Sequence, residues 1–279
     1  MAEARLEAVM LLRSSMASRT TRTGVLTGAA ALLFGIGCTE NFSAGPDGGA
    51  PAGGPAQEGL VYWFSADSGV TETSGRISRW SDRSGNHADA VQITAESRPK
   101  LGHLGGGNRT AVEFDGEDDF LGLPPLTTSF EQGVSMFAVA RYTGGEPCMA
   151  MLELSNGPEI EDVSFDWNQS SLHYEVAADY VDGQSGAFAQ GESRLVSVIQ
   201  APSGEVSLWM NGTANGVASF ALPVDKTRNQ NFLGRTLYVN CPTWQGEIGE
   251  LVVYARALET TEREELESYL MRTWDCCGT

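Results

Sequence analysis

The stretch "DVSFDWNQSSLHYEVA", Asp162–Ala177, holds two runs in which apolar and polar residues alternate strictly. A repeat of two puts Val163, Phe165 and Trp167 on one face of the first run and Ser164 and Asp166 on the other. In the second run Leu172, Tyr174 and Val176 oppose His173 and Glu175. A helix needs apolar residues three and four apart, so this pattern predicts two strands, each with an apolar and a polar face.

The same kind of run recurs on both sides. "LVYWFS", "TAVEFD", "GVSMFAVARY", "CMAMLEL", "RLVSVIQA", "EVSLWMNG", "GVASFAL" and "GEIGELVVYAR" are β-branched or aromatic and bounded by Gly, Asn, Asp or Pro. Short strands at this spacing predict an all-β sandwich, and with no second linker the simplest parse is one domain over residues 58–279. A single helix is expected in "LETTEREELESYLMRTW", with Thr261 and Glu264 as a capping box and Leu266, Tyr269, Leu270 and Trp274 on the face that meets the sandwich. In "EVSLWMNG" the parity groups Val206, Leu208 and Met210, leaving Ser207 and Trp209 opposite. With the apolar sets inward, Trp209, His173, Glu175, Asp166 and Arg141 would line one sheet together. An aromatic face beside charged groups suits a sugar, which needs apolar contact and polar anchors. The competing expectation is that Trp209 is ordinary core.

The chain is 41% hydrophobic with 33 glycines, the composition of a globular, turn-rich protein. Its first part is set apart. The apolar run Gly24–Gly37, after Arg19 and Arg22, falls short of the about 20 residues that span a bilayer but suits the core of a secretory signal, residues 1–37. The residues before Met16 read as over-long, so translation is expected to start at Met10 or Met16. The ending "FGIGC" is similar to the lipobox of bacterial lipoproteins, which implies lipid on Cys38, although Gly35 stands where that motif usually has leucine. An ordinary cleaved signal or an uncleaved anchor are the alternatives. Residues 38–57, "CTENFSAGPDGGAPAGGPAQ", lack the apolar bulk to offset ordering entropy and read as a flexible Gly/Pro/Ala linker. The implied location is the bacterial envelope, through an N-terminal lipid in the membrane on the periplasmic side or at the cell surface, or the medium. The formal charge of −18 becomes −20 once residues 1–37, with four Arg and two Glu, are removed. Such a chain repels nucleic acid.

Two acidic stretches invite a metal. In "AVEFDGEDDFLGL", Ala111–Leu123, Val112 and Phe114 point inward and Asp-Gly supplies a reversal, so the acids are expected to cap backbone N–H groups of a hairpin. Calcium is the functional alternative, with Asp118 and Asp119 as ligands. In "WSDRSGNHADA", Asp82, Ser84 and Asn86 open like an EF-hand loop, but Ile93 occupies the position of the closing acid, which leaves a side-chain-bonded turn. No nucleophile motif surrounds any of the three histidines, and no glycine-rich phosphate loop is present. Besides Cys38 there are Cys148, Cys241, Cys276 and Cys277, which predict two disulfides in a secreted context. Closure between adjacent cysteines is strained, so one bridge is expected to tie the C-terminal tail to a loop near Cys241 or Cys148; three pairings remain open.

"LVYWFSADSGV", "ISRWSDRSGNHADAVQ", "RPKL", "AVEFDGEDDFLGL", "VSMFAVARY", "VSLWMNG" and the segment from Gly246 to Trp274 follow one another as in the concanavalin A-like jelly rolls of the laminin-G type. The resemblance runs from about Leu60 to Trp274. It implies a two-sheet antiparallel jelly-roll sandwich with one short C-terminal helix. Lectins, adhesion modules, calcium-dependent binders and glycoside hydrolases share that fold. "NGPEIEDVSFDW" comes near the E-x-D-x-x-E strand of the laminarinase-like hydrolases, with Glu159 at the first acid. Glu161 replaces the aspartate and Ser164 the last acid, and both departures strike the chemistry of a carboxylate pair. The expectation is a non-catalytic module for carbohydrate or an extracellular protein. A diverged glycoside hydrolase and a purely structural envelope protein are the alternatives.

Overall fold

The computed structural model describes residues 54–106, 109–145 and 147–276. The signal segment, Cys38, most of the linker and Cys277 lie outside the described residues.

The alternating runs form strands that pair antiparallel throughout. One sheet has eight strands. Its path runs from β15 (Thr213–Ser219) through β14 (Glu205–Met210), β13 (Ser193–Gln200), β8 (Val134–Tyr142), β17 (Gln245–Tyr254) and β6 (Arg109–Asp115) to β5 (Lys100–Leu104), and β1 (Leu60–Ser65) also pairs with β17. The second sheet has nine. It runs from β12 (Asp179–Asp182) through β11 (Ser171–Val176), β10 (Val163–Asn168), β9 (Met149–Ser155), β16 (Gln230–Leu233), β7 (Leu121–Leu123) and β4 (Ala90–Val91) to β3 (Arg76–Trp80) and β2 (Val70–Thr73). Together they make the expected jelly-roll sandwich.

The inner faces carry the apolar sets that the parity assigned. Phe165, Leu172, Tyr174, Val206 and Leu208 are all fully buried. Rings join the sheets: Tyr142 of β8 stacks on Trp167 of β10 at 4.1 Å, and Phe64 of β1 meets Trp80 of β3 at 5.5 Å. The Tyr174 hydroxyl crosses from β11 to donate to Gln200 Oε1 of β13 at 2.8 Å. Each large side chain so buried contributes roughly 1.5–3 kcal/mol.

The helix α1, Thr260–Trp274, lies on the outer face of the eight-stranded sheet. Trp274 Nε1 and Trp63 Nε1 both donate to the buried carboxylate of Glu250, at 2.7 and 2.6 Å, and Ser197 donates to Glu267 at 2.7 Å. Gly249 allows this approach, since a Cβ there would sit 2.6 Å from the Trp274 ring. The N-terminus differs from expectation. Glu259 is the N-cap and its N–H donates to Glu262, which Arg256 grips with two bonds of 2.7 Å. Thr261 and Glu264 therefore lie inside the helix, because an arginine outside it fixes the first turn earlier.

The acidic stretch Asp115–Asp119 is not a hairpin. It carries the chain from β6 in one sheet to β7 in the other. Asp115 Oδ1 accepts from the N–H groups of Glu117, Asp118 and Asp119, the capping role expected of it.

Candidate functional site

β10, β11 and β12 bring their polar residues to the outer face of the nine-stranded sheet. The register places Asp166 opposite His173 and His173 opposite Asp182, with Glu175 facing Ser164 on one side and Tyr180 on the other. Glu153 of β9 lies beside Ser164. Three of the five residues read as a ligand set, Asp166, His173 and Glu175, are thus neighbours. The other two are elsewhere. Trp209 and Arg141 belong to the eight-stranded sheet and look outward from it, away from His173. Each is engaged there: the Arg263 guanidinium stacks 3.7 Å from the Trp209 ring, and Arg141 forks onto Glu247 at 2.9 and 2.5 Å. The strand parities were right, but parity does not say which sheet a strand joins.

The polar face is not open to water. Asp166, His173 and Glu175 are buried, and the loop between β16 and β17 reaches over to Glu175. Its Tyr238 hydroxyl lies 2.8 Å from both Asp162 Oδ2 and Glu175 Oε1. Cys241 of the same loop is disulfide-bonded to Cys148, next to the first residue of β9. This corrects the expectation that Cys148 or Cys241 bridges to the tail, since the two loop cysteines lie within reach of each other. Cys276 is also disulfide-bonded.

The electrostatics follow from burial. His173 sits between Asp182 Oδ1, 2.7 Å from Nδ1, and Glu175 Oε2, 3.1 Å from Nε2. Burial opposes its charge, but the bonds to Asp182 and Glu175, with Asp166 nearby, outweigh it and raise the pKa to about 9. The imidazole is therefore a cation at neutral pH. Removal from water, then the charge of Asp166, lifts Glu153 to about 8; Thr236 and the Leu237 N–H pull it partly back without reaching hydrogen-bond geometry. Burial raises Asp166 to about 7 against the pull of His173, and it also raises Asp162. A phenol has one proton and cannot donate to two carboxylates. Tyr238 therefore donates to one of the two carboxyls at a time, and the Glu175 end of the network continues to His173 and Asp182.

Only the rim of this network meets solvent. Tyr180 is 43% exposed, and its ring lies 5.2 Å from that of His173. Among the described residues it is the one exposed phenylalanine, tyrosine or tryptophan. The Asp182 side chain beside it is 43% exposed. Tyr180, Asp182, Asp162, Glu153 and Tyr238 escaped the sequence reading. "DYVD" does carry an alternating signal for Tyr180 and Asp182, whereas Tyr238 sits in a loop with no period.

Asp115, Asp118 and Asp119 bring carboxylate oxygens within 4.8 Å of one another. Some of these oxygens already have partners within the protein. Three N–H groups hold Asp115 Oδ1, Ser97 donates to Asp118, and the Arg76 guanidinium lies 3.2 Å from Asp119. Asp82 is also filled, by the N–H groups of Trp63, Ser84 and Ala88 and the Ser84 hydroxyl. Glu159 and Glu161 lie in the turn before β10 with positive φ of 58° and 56°, not on a strand.

No protein-family model and no curated protein sequence matches the chain. Its structure is similar to that of Trypanosoma rangeli sialidase in complex with 2,3-difluorosialic acid, with a TM-score of 0.56 and 17% identity over 84% of this chain and 36% of that one. It is also similar to domain 4 of an extracellular GH43 arabinanase from Geobacillus stearothermophilus in complex with arabinotriose, with a TM-score of 0.54 and 18% identity over 75% of this chain and 98% of that domain. The binding domain of Paraclostridial Mosquitocidal Protein 1 gives a TM-score of 0.54 at 11% identity, over 79% of this chain and 56% of that one. The chain spans about a third of the sialidase. At these identities the likeness is one of fold, a jelly-roll-like β-sandwich.

Proposed function

We propose that this domain is a non-catalytic carbohydrate-binding module, with its contact face at Tyr180, Asp182 and the His173–Glu175 pair behind them. The observation that carries the reading is the exposed Tyr180 ring, set next to a fixed cation and an exposed carboxylate. A sugar ring offers C–H groups to an aromatic face and hydroxyls to charged neighbours. Trp63 and Trp209, the outward tryptophans, each have an arginine over the ring, at 4.0 and 3.7 Å. The arabinanase domain, almost wholly covered by this fold and complexed with arabinotriose, supports the same class of ligand.

The test is a calorimetric screen of neutral and acidic oligosaccharides, arabinotriose included, on the parent and on Tyr180→Ala. The variant should bind at least about tenfold more weakly, near 1.4 kcal/mol, with an unchanged melting temperature, since Tyr180 packs at the surface. Binding indifferent to Tyr180 would move the site off this face. Hydrolysis of any bound oligosaccharide would replace the module by an enzyme.

A further inference from the structure

The register carries one row of outward residues from Tyr180 across the nine-stranded sheet to Phe232, Gly122 and Val91. Partners in such a row share a face. Its middle, Glu153, Ser164 and Glu175, is buried, but both ends reach solvent. Tyr180 is one end, and Phe232 lies four strands away, about 19 Å at about 4.8 Å per strand. Beyond it Gly122 carries no side chain, and a Cβ there would meet only the Val91 carbonyl, at 3.5 Å. The outer side of β7 is therefore bare, a shallow cleft between the half-buried Phe232 and Val91, which is 45% exposed.

Arg235, three residues past Phe232, lays its guanidinium over the wall of this cleft, 4.7 Å from the Phe120 ring and 5.2 Å from the Phe232 ring. The two rings meet edge to face at 5.7 Å. Among the described residues none accepts a hydrogen bond from this guanidinium or forms an ion pair with it. Arg76, Arg79 and Arg141 are each claimed by a carboxylate, in a chain where Asp and Glu outnumber Lys and Arg by 36 to 18. A guanidinium held flat on aromatic rings keeps its planar fork of N–H donors free for an acid group. Repulsion from the acidic chain is screened beyond about 8 Å in physiological salt, so at the cleft the nearby cation decides.

We propose that this open end of the row is a subsite for an acidic residue of a glycan: Arg235 takes its carboxylate or sulfate, and the sugar ring rests on Gly122 between Phe232 and Val91. The inference rests on the carbohydrate reading of the domain and names the class of sugar, but its residues are not those of the Tyr180 face.

Calorimetry and amide chemical shifts of the full chain test this, with four probes: oligogalacturonate, its methyl ester, a sulfated galactan oligosaccharide and the neutral galactan. At least one acidic probe should bind at least about tenfold more tightly than its neutral counterpart and shift the amides of Gly122 and Val91. Which of the two binds tells carboxylate from sulfate. Arg235→Gln should weaken that probe at least about tenfold, and Gly122→Leu, at a position with room for a side chain, should weaken it by closing the cleft. The two changes lie on different segments, so one serves if the other fails to fold. Acidic and neutral probes bound alike, or acidic binding unchanged in the folded variants, overturns the subsite; the Tyr180 reading then stands if Tyr180→Ala still weakens binding. Acidic binding that needs Arg235 and ignores Tyr180 supports the subsite and overturns the Tyr180 face. No binding of any probe, nor of arabinotriose, overturns both.

Discussion

Trp209 and Tyr180 are both outward-facing aromatics on strands, and their neighbours give them opposite roles. Trp209 donates to Ser207 at 3.1 Å and carries the Arg263 guanidinium on its face, which ties α1 to the eight-stranded sheet. A cation on an indole contributes about 0.5–2 kcal/mol. Trp209→Ala should therefore lower stability by about 1–3 kcal/mol in denaturant unfolding while leaving sugar affinity as in the parent. Lost affinity in a stable Trp209→Ala protein would return the site to this sheet. Tyr180 sits beside His173, its ring 5.2 Å from the imidazole. The sequence shows only that Trp209 and Tyr180 each lie opposite apolar residues; what lies over a ring is decided by residues such as Arg263, far away in the chain.

At the scale of elements, the strands and the helix were legible because each repeats its own period over several residues. Strand order was not, since backbone pairing is blind to side chains and β9 takes β16, some 75 residues on, as a neighbour. The acidic turn after β6 was read as a hairpin for the same reason: Asp-Gly signals a reversal but not the sheet the chain enters next. The cover over Glu175 and Asp162 comes from a loop, and its one visible clue was a cysteine. The Cys148–Cys241 bridge closes a sequence separation of 93 residues. Chain-entropy arguments give such a bridge about 2–5 kcal/mol. Cys241→Ser should cost that much in equilibrium unfolding and quicken hydrogen exchange in the β16–β17 loop first. Unchanged exchange there would mean that Tyr238 alone holds the cover.

For the whole molecule, the buried acids and His173 make stability depend on pH in one direction. Glu153 and Asp166 titrate near 8 and 7 in the folded chain, against about 4 when unfolded. Between these values the folded state holds the extra protons, so stability falls as pH rises from about 5 to 8. His173, raised to about 9, gives stability that is complete below about 6.5 and lost as pH climbs through 9. The melting temperature should fall steadily from pH 5 to pH 9, and Glu153→Gln should flatten the first part of the slope. A rise over that range would contradict protonation of the cluster. The strand that presents Tyr180 has a further consequence. β12 is the last strand of its sheet and pairs only with β11, so one row of its backbone groups faces away from any partner strand. Such a row is where chains add to one another edge to edge, and inserted charge prevents it. Asp179 and Asp182 bracket the four residues of β12. Those two carboxylates thus discourage a neighbouring molecule from docking as a tenth strand, and neutralising both would draw the protein toward aggregation.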